Sequence, residues 1–345
     1  MSTQKIIQNG ILPEQFTSRP VTYQDVDRVI SLNQAVNQAK GYVTKAAPDE
    51  LLADWKEPDF NLEESSILIE NESGELIAYA TFWDTSVTPV QPWCSWILRD
   101  DMYGSGVDQY LLDWFHEKAQ RVFAKCPREA KITLRTNALK GYDKRVNFLK
   151  NAGFSHKRNF FRMLIEMDTP PPQATIPQGL SIRGMSYPAE IEMMAAAVEE
   201  GFKDHWGFVE EPLEKAVEFW THYTETDQLF DPAIYFLAID DATGKIAGVA
   251  LCRMEQVGKP ETAYVEELAV LPDYRRRGLA LAMLHHAFGV LYKRGRRQVA
   301  LHVDADSLTG ATRLYEKAGM KSVETWMNFQ TILRDGIDMT TTSVE

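Results

Sequence analysis

The sequence has little of what secreted, metal-binding and membrane proteins depend on. Its three cysteines, Cys94, Cys126 and Cys252, are scattered and form no Cys-x-x-Cys pair, which predicts reduced, inert thiols in a cytoplasmic protein. Its seven histidines include no His-x-x-x-His pair, so we expect no metal site. No apolar run approaches the roughly 18 residues of a membrane span. The N-terminus lacks the apolar core of a signal peptide, so we expect no secretion.

The chain also has fewer positively charged than negatively charged residues. The chain has 37 Lys and Arg residues against 49 Asp and Glu, for a formal net charge of -12. This balance argues against nucleic acid and anionic membrane surfaces as main partners. Hydrophobic residues still make up 44% of the 345 positions, which is typical of a chain that builds two domains with real cores.

The most informative stretch runs from Tyr264 to Met320. A strand-like apolar run, Val265 to Leu271, is followed by a basic loop that opens directly into a helical pattern. At such a helix N-terminus, free N–H groups and the positive end of the helix dipole converge on a pyrophosphate, and a glycine lets the main chain approach it closely. Arginines add charge-assisted contacts. We therefore predict an anion site formed by Arg275, Arg276, Arg277, Gly278, Leu279 and Ala280.

A second segment follows at a characteristic separation. It has a strand pattern from Val299 to Val303, a loop, a helical pattern from Gly310 to Ala318 and a glycine stop. The pair of segments resembles the GCN5-related N-acetyltransferase (GNAT) superfamily. The match to that family's acetyl-CoA pyrophosphate loop rests on Arg275, Gly278 and Ala280, and the match to its second helix rests on Leu314, Tyr315, Gly319 and Met320.

The two halves of the sequence also resemble each other. Three glycine pairs, 74/244, 104/278 and 153/319, recur at offsets of 170, 174 and 166 residues, which indicates a duplicated domain. The segment 168–179 contains four prolines and predicts a linker. We therefore expect an α/β (α+β) fold of two tandem acyl-CoA N-acyltransferase (GNAT) domains, each a mixed, mostly antiparallel sheet flanked by helices, resembling the mycothiol synthase-like branch. The predicted boundaries are 1–168 for a degenerate N-terminal domain, 169–178 for the linker and 179–345 for a catalytic C-terminal domain.

The two halves differ where chemistry is expected. Asp101 stands where the second half has Arg275, and Leu149 stands where it has Tyr315. A carboxylate in the loop would repel an anion, and a leucine has no proton to give. We expect that the N-terminal half has lost catalysis; the alternative is that it uses a different acid.

The resemblance implies roles for the C-terminal half. Tyr315 would protonate the departing CoA thiolate, since a phenol stays protonated at neutral pH. The position of the family's usual glutamate base is Tyr264 here, so the base is left open between Glu266 and His302. Period-two alternation places Tyr264, Glu266, Leu268 and Val270 on one strand face and Glu267 on the other, which favours Glu266 over Glu267.

Further contacts follow from the same resemblance. Main-chain groups of Leu268 and Val270 would pair with the pantetheine amides where the two central strands splay apart. Ser307 stands near a position where relatives often have a cofactor-binding asparagine. Asp204, His205 and Trp206 combine a carboxylate, an imidazole and an indole, which could bind a cationic acceptor; the alternative is a helix-ending turn with a buried tryptophan.

The predicted function is transfer of an acetyl group from acetyl-CoA, the acyl donor substrate, to a primary amine of a small molecule. Transfer would proceed by direct attack in a ternary complex, without a metal. The alternative is a non-catalytic acyl-CoA-binding module that regulates or scaffolds. We expect a cytoplasmic monomer or homodimer.

Overall fold

The computed structural model describes residues 10–42, 44–307 and 310–342. Contacts between Cα atoms divide them into two units. The first contains the described residues up to Lys157 together with Met327–Met339, and the second contains Arg158–Trp326 and the residues from Thr340 onward. Neither unit is therefore a continuous piece of sequence.

The first unit is a sheet with helices packed on it. Strands β1 to β4 are antiparallel neighbours in that order, and β4 pairs with β5 in parallel. Helix α1 packs against the sheet through Val29, Leu32 and Val36, in a core that includes Trp55 and Leu68. The strands are β1 (Phe16–Arg19), β2 (Ser66–Asn71), β3 (Leu76–Trp83), β4 (Trp93–Leu98) and β5 (Ile132–Leu139); the helices are α1 (Val26–Ala39), α2 (Pro48–Asp54), α3 (Leu62–Ser65), α4 (Val107–Ala119), α5 (Val122–Lys125) and α6 (Asp143–Asn151).

The second unit repeats this plan. Its strand order is β6-β11-β10-β9-β8-β7, and β10 and β11 are the parallel pair. The strands are β6 (Ser155–Glu166, from residue 158), β7 (Leu180–Gly184), β8 (Tyr235–Asp240), β9 (Ile246–Arg253), β10 (Thr262–Val270), β11 (Gln298–Asp304) and β12 (Lys321–Arg334, up to residue 326); the helices are α7 (Ile191–Phe202), α8 (Leu213–Thr226), α9 (Leu279–Lys293) and α10 (Ala311–Lys317).

Strand β9 explains why this sheet has helices on both faces. All eight of its residues are buried. Ala250 and Cys252 belong to the core beneath α9 and α10, whereas Val249 and Leu251 belong to the core beneath α7 and α8. A strand that is apolar on both faces needs cover on both. The prediction of a mixed sheet flanked by helices in each half is confirmed.

One strand of the second unit comes from the first half of the sequence. Residues 160–166 of β6 pair antiparallel with 298–304 of β11 at every position, and Met163 and Ile165 enter the core beneath α9. Residues 170–177, in the predicted linker, form no helix or strand. The unit that contains β10 and β11 therefore depends on a strand that precedes this linker.

The described part of the chain contains no helix that is both long and apolar enough to cross a bilayer.

Candidate active site

A cleft opens between the two parallel strands of the second unit. Residues 262–264 of β10 pair with 298–300 of β11, and beyond that point the structure gives these two strands no further pairs. On its other edge β10 stays paired with β9, where the Leu271 N–H donates to the Ala247 carbonyl at 3.0 Å. Because hydrogen-bonding direction alternates along a strand, the peptide groups of Leu268 and Val270 point away from β9 and toward the cleft.

The basic loop lies at the end of β10 that borders this cleft. A single 3-10 turn, Pro272–Tyr274, leads into it, and α9 begins at Leu279. Gly278 caps the helix with φ +83, a left-handed conformation that favours glycine, and open space surrounds the position of a Cβ there. The N–H groups of the first helical turn, which includes Ala280, have no intrahelical acceptor. Arg276 and Arg277 are exposed beside them. The loop therefore has the backbone geometry of an anion site.

The Arg275 side chain has several partners within the protein. Its guanidinium forms an ion pair with Asp204, its Nε donates to the Val270 carbonyl at 2.9 Å, and its Nη2 donates to the Gly201 carbonyl at 3.3 Å. These bonds tie the loop to the end of α7. Arg275 and Asp204 thus pair with one another, and phosphate contact by Arg275 stays a prediction.

Tyr315 lies on α10 within the core beneath α9, and its side chain is buried. Burial, reinforced by the charge of Glu267, raises the pKa of its hydroxyl well above the usual value. The hydroxyl therefore stays protonated throughout the neutral range, as a proton donor must.

The expected alternation along β10 is wrong, because the strand contains a β-bulge. The register runs from Val265 opposite Cys252 directly to Glu267 opposite Leu251, so Glu266 is an extra residue. Cross-strand partners share a face, and Leu251 belongs to the core beneath α7 and α8. Glu267 therefore lies on that face rather than on the opposite one.

Glu266 forms hydrogen bonds with residues on the α7 and α8 face of the sheet. The Tyr223 hydroxyl on α8 and the Tyr235 hydroxyl on β8 both donate to its carboxylate, the latter at 3.2 Å. The Arg253 guanidinium lies 3.8 Å away and also pairs with Asp227 at 2.9 Å. Burial raises the pKa of Glu266 to about 7. Its two carboxylate oxygens are already bonded within the protein.

Glu267 is held less tightly. Burial, together with the charges of Glu266 and Glu199, raises its pKa to about 8. Its side chain keeps partial solvent exposure. Among the residues that the structure describes, none donates a hydrogen bond to its carboxylate.

His302 forms a hydrogen bond with Tyr264, the residue at the position of the family's usual glutamate base. Its Nδ1 lies 2.6 Å from the Tyr264 hydroxyl. Partial burial and the Arg162 guanidinium lower the pKa of His302 to about 4, which makes it a weaker base than an ordinary histidine. Arg162 lies opposite His302 on β6 and donates to Gln256 at 2.7 Å. Sequence reasoning missed Arg162, because nothing in the sequence links β6 to this site.

The remaining predicted residues lie in loops near the ends of α7 and β11. Ser307 accepts at its carbonyl from the Gly310 N–H at 3.1 Å, in the turn before α10. The His205 ring packs edge-on against Phe202, with 4.3 Å between ring centres. The Arg158 guanidinium lies 4.9 Å from the centre of the Trp206 ring. The cation–π position predicted for an acceptor is thus already used by an arginine of the protein.

The first unit has the same elements but a closed cleft. Strands β4 and β5 are paired only at Trp93 and Arg135. Beyond that pair, the Arg145 guanidinium donates to the Trp96 carbonyl on β4 at 2.9 Å and to the Thr136 hydroxyl on β5 at 3.2 Å. It therefore bridges the two strands where the second unit is open.

The loop of the first unit is blocked as well. Gly106 caps α4 with φ +94, as Gly278 caps α9. The buried Asp108 carboxylate, however, accepts from the Gly104 N–H at 2.8 Å. A carboxylate at this helix N-terminus occupies the place that a phosphate would take.

Known proteins share these features. Residues 194–320 match the model of the acetyltransferase (GNAT) family. The chain is similar to a mycothiol acetyltransferase of Thermobispora bispora, at 29% identity over 175 residues, covering 48% of this chain and 55% of that protein. The chain thus spans about half the length of the curated relatives it matches.

Several solved structures match nearly the whole chain. A GCN5-related N-acetyltransferase from Sphaerobacter thermophilus has a TM-score of 0.78 at 29% identity, covering 96% of this chain and all of that one. A tandem GNAT protein from the clavulanic acid biosynthesis pathway has a TM-score of 0.66 at 12% identity, covering 93% of this chain, and shares the fold alone.

Proposed function

Because residues 194–320 belong to the acetyltransferase (GNAT) family, we propose that this protein transfers an acetyl group from acetyl-CoA to a primary amine of a small molecule. The amine attacks directly in a ternary complex, and the second unit carries the reaction. The observation that carries this proposal is the cleft between β10 and β11, which ends at the loop capped by Gly278.

The chain's own residues fit an acyl-CoA donor along this cleft. The free N–H groups after Gly278 and the exposed Arg276 and Arg277 would hold the pyrophosphate. The peptide groups of Leu268 and Val270 would pair with the pantetheine arm, although the Val270 carbonyl already accepts from Arg275. Bound there, acetyl-CoA supplies the activated acyl carbon.

Tyr315 would act as the general acid. Its hydroxyl remains protonated because burial raises its pKa, and it would give its proton to the departing sulfur. Glu266 and His302, the bases predicted from the sequence, have fixed partners in Tyr223, Tyr235 and Tyr264.

The first unit would serve as a scaffold. Arg145 closes its cleft, and Asp108 occupies its loop. The first half of the sequence nevertheless supplies β6 to the second unit, so both halves are required for one active site.

The proposal is tested by incubating the full chain with acetyl-CoA and a panel of small amines, and by measuring the release of free CoA. We expect amine-dependent release for at least one member of the panel. Tight acetyl-CoA binding without release across a broad panel would instead support a non-catalytic acyl-CoA-binding module.

A further inference from the structure

Two adjacent carboxylates lie on one face of β10, and the bulge gives them different environments. Without the bulge, Glu266 and Glu267 would point to opposite faces of the sheet. With it, Glu267 lies opposite Leu251 on the α7 and α8 face, and Glu266 reaches Tyr223 and Tyr235 on that same face.

The two carboxylates differ in how free they are to exchange a proton. Glu266 accepts hydrogen bonds from two tyrosines and lies beside Arg253. Arg253 is itself 6% exposed and paired with Asp227. Such a network fixes a carboxylate in its place. Glu267 receives no hydrogen bond from the described part of the chain.

The position of Glu267 suits proton removal at the cleft. It stands three residues beyond the last β10–β11 pair and directly before Leu268. Its charge acts on Tyr315 of α10, and the charge of Glu199 of α7 acts on it, so groups from both faces of the sheet lie within its electrostatic reach.

We propose that Glu267 is the catalytic residue that takes a proton from the acceptor ammonium, a role that rests on the proposed function. The proton leaves the nitrogen for a Glu267 carboxylate oxygen. The freed electron pair then forms a bond to the thioester carbonyl carbon, and the carbon–sulfur bond breaks. Tyr315 gives its hydroxyl proton to the sulfur, and its phenolate takes the second proton from the new amide nitrogen. The net proton on Glu267 passes to solvent.

The same placement indicates the class of acceptor. Glu199 on α7 lies within electrostatic reach of Glu267, and Glu211 lies within reach of Glu199. One carboxylate oxygen of Glu211 is buried without a hydrogen-bond partner among the described residues. The Lys203 ammonium also acts on Glu199, but the three carboxylates together favour an amine that is cationic in solution. Aliphatic primary amines are therefore the expected acceptors, and weakly basic aryl amines are not.

The test measures kcat against pH for the full chain and four variants, with an amine that the wild type acetylates. Glu267→Gln should lower kcat by about 10²–10⁴-fold and remove the acid limb of the profile, with acetyl-CoA affinity unchanged by calorimetry. Glu267→Asp should restore part of the rate. Glu199→Gln should shift the acid limb to lower pH, because it removes a like charge beside Glu267. Glu266→Gln is the neighbouring control. It should retain an acid limb, shifted to lower pH like that of Glu199→Gln, because it too removes a like charge beside Glu267.

The outcomes separate the two claims. A wild type that releases no CoA with any amine would overturn the proposed function and this role with it. A Glu267→Gln variant that keeps more than about a tenth of the wild-type rate and the same acid limb would overturn this role alone. If Glu267→Gln fails to fold, the Glu199→Gln profile decides, and an unshifted acid limb would contradict the proposal.

Discussion

The Arg145 guanidinium lies 3.7 Å from the centre of the Trp96 ring and bridges the two central strands of the first unit. The offset of 166 residues that relates Gly153 to Gly319 also relates Arg145 to Ala311. The first residue of α10 is thus small where α6 carries an arginine. The two units therefore differ in size and charge at this position of the cleft.

Ala311→Arg should therefore close the cleft of the second unit. A guanidinium there would occupy the space between β10 and β11, and we expect acetyl-CoA affinity to fall at least about a hundredfold, with some loss of stability from overpacking. Calorimetry measures the affinity. Ala242→Arg, in the exposed β8–β9 turn, makes the same charge change and should bind normally. Normal binding by Ala311→Arg would show that this position does not border the donor site.

Gly278→Val should weaken acetyl-CoA binding sharply while the fold persists. A β-branched residue disfavours the φ of +83 that aims the N–H groups of the loop at an anion. Gly295→Val is a matched control, because Gly295 has φ +91 and equally open surroundings after α9. Both variants should lose similar stability by thermal unfolding. An equal loss of acetyl-CoA affinity in both would show that the loop at Gly278 does not bind the cofactor.

Tyr315→Phe should lower turnover by about 10²–10⁴-fold with little change in acetyl-CoA affinity, because it removes a proton donor used only as the sulfur departs. Steady-state CoA release and calorimetry separate the two effects. Tyr274→Phe, which removes only a hydroxyl bonded to Asp240, should retain wild-type turnover. A loss of less than about tenfold in Tyr315→Phe would reduce Tyr315 to a packing residue.

Glu267→Gln should stabilise the protein at alkaline pH. The pKa of Glu267 rises from an ordinary 4.5 to about 8 on folding, so the protonated carboxyl contributes stability that is complete below about pH 4.5 and is lost as pH rises through 8. The variant's advantage in melting temperature should therefore be larger at pH 9 than at pH 5.5. Glu316→Gln, on the exposed side of α10, should show no such trend. A pH-independent difference for Glu267→Gln would mean that its carboxyl is not shielded from water.

Local patterns predicted most of the second unit. The two hairpins with turns at Gly74 and Gly244, and the loop that opens into α9 at Gly278, depend on short-range signals that the sequence carries directly. The family comparisons bear out the tandem fold. The sequence could not predict that the alternation along β10 is interrupted, because no residue type identifies the β-bulge at Glu266.

Long-range pairings account for the remainder. Arg162 lies opposite His302 only because β6 pairs with β11, and Arg275 pairs with Asp204 only because the fold brings Asp204 beside it. The sequence alone does not distinguish Arg145 from an ordinary helix arginine, because its bridging role depends on the divergence of β4 and β5. Each of these facts depends on which strands become neighbours.

The most direct test of the account is a calorimetric titration of the full chain with acetyl-CoA. We predict one site per chain, because the cleft of the second unit is open and Arg145 and Asp108 block that of the first. Two equivalent sites per chain, or one site that survives in Ala311→Arg and Gly278→Val alike, would contradict it.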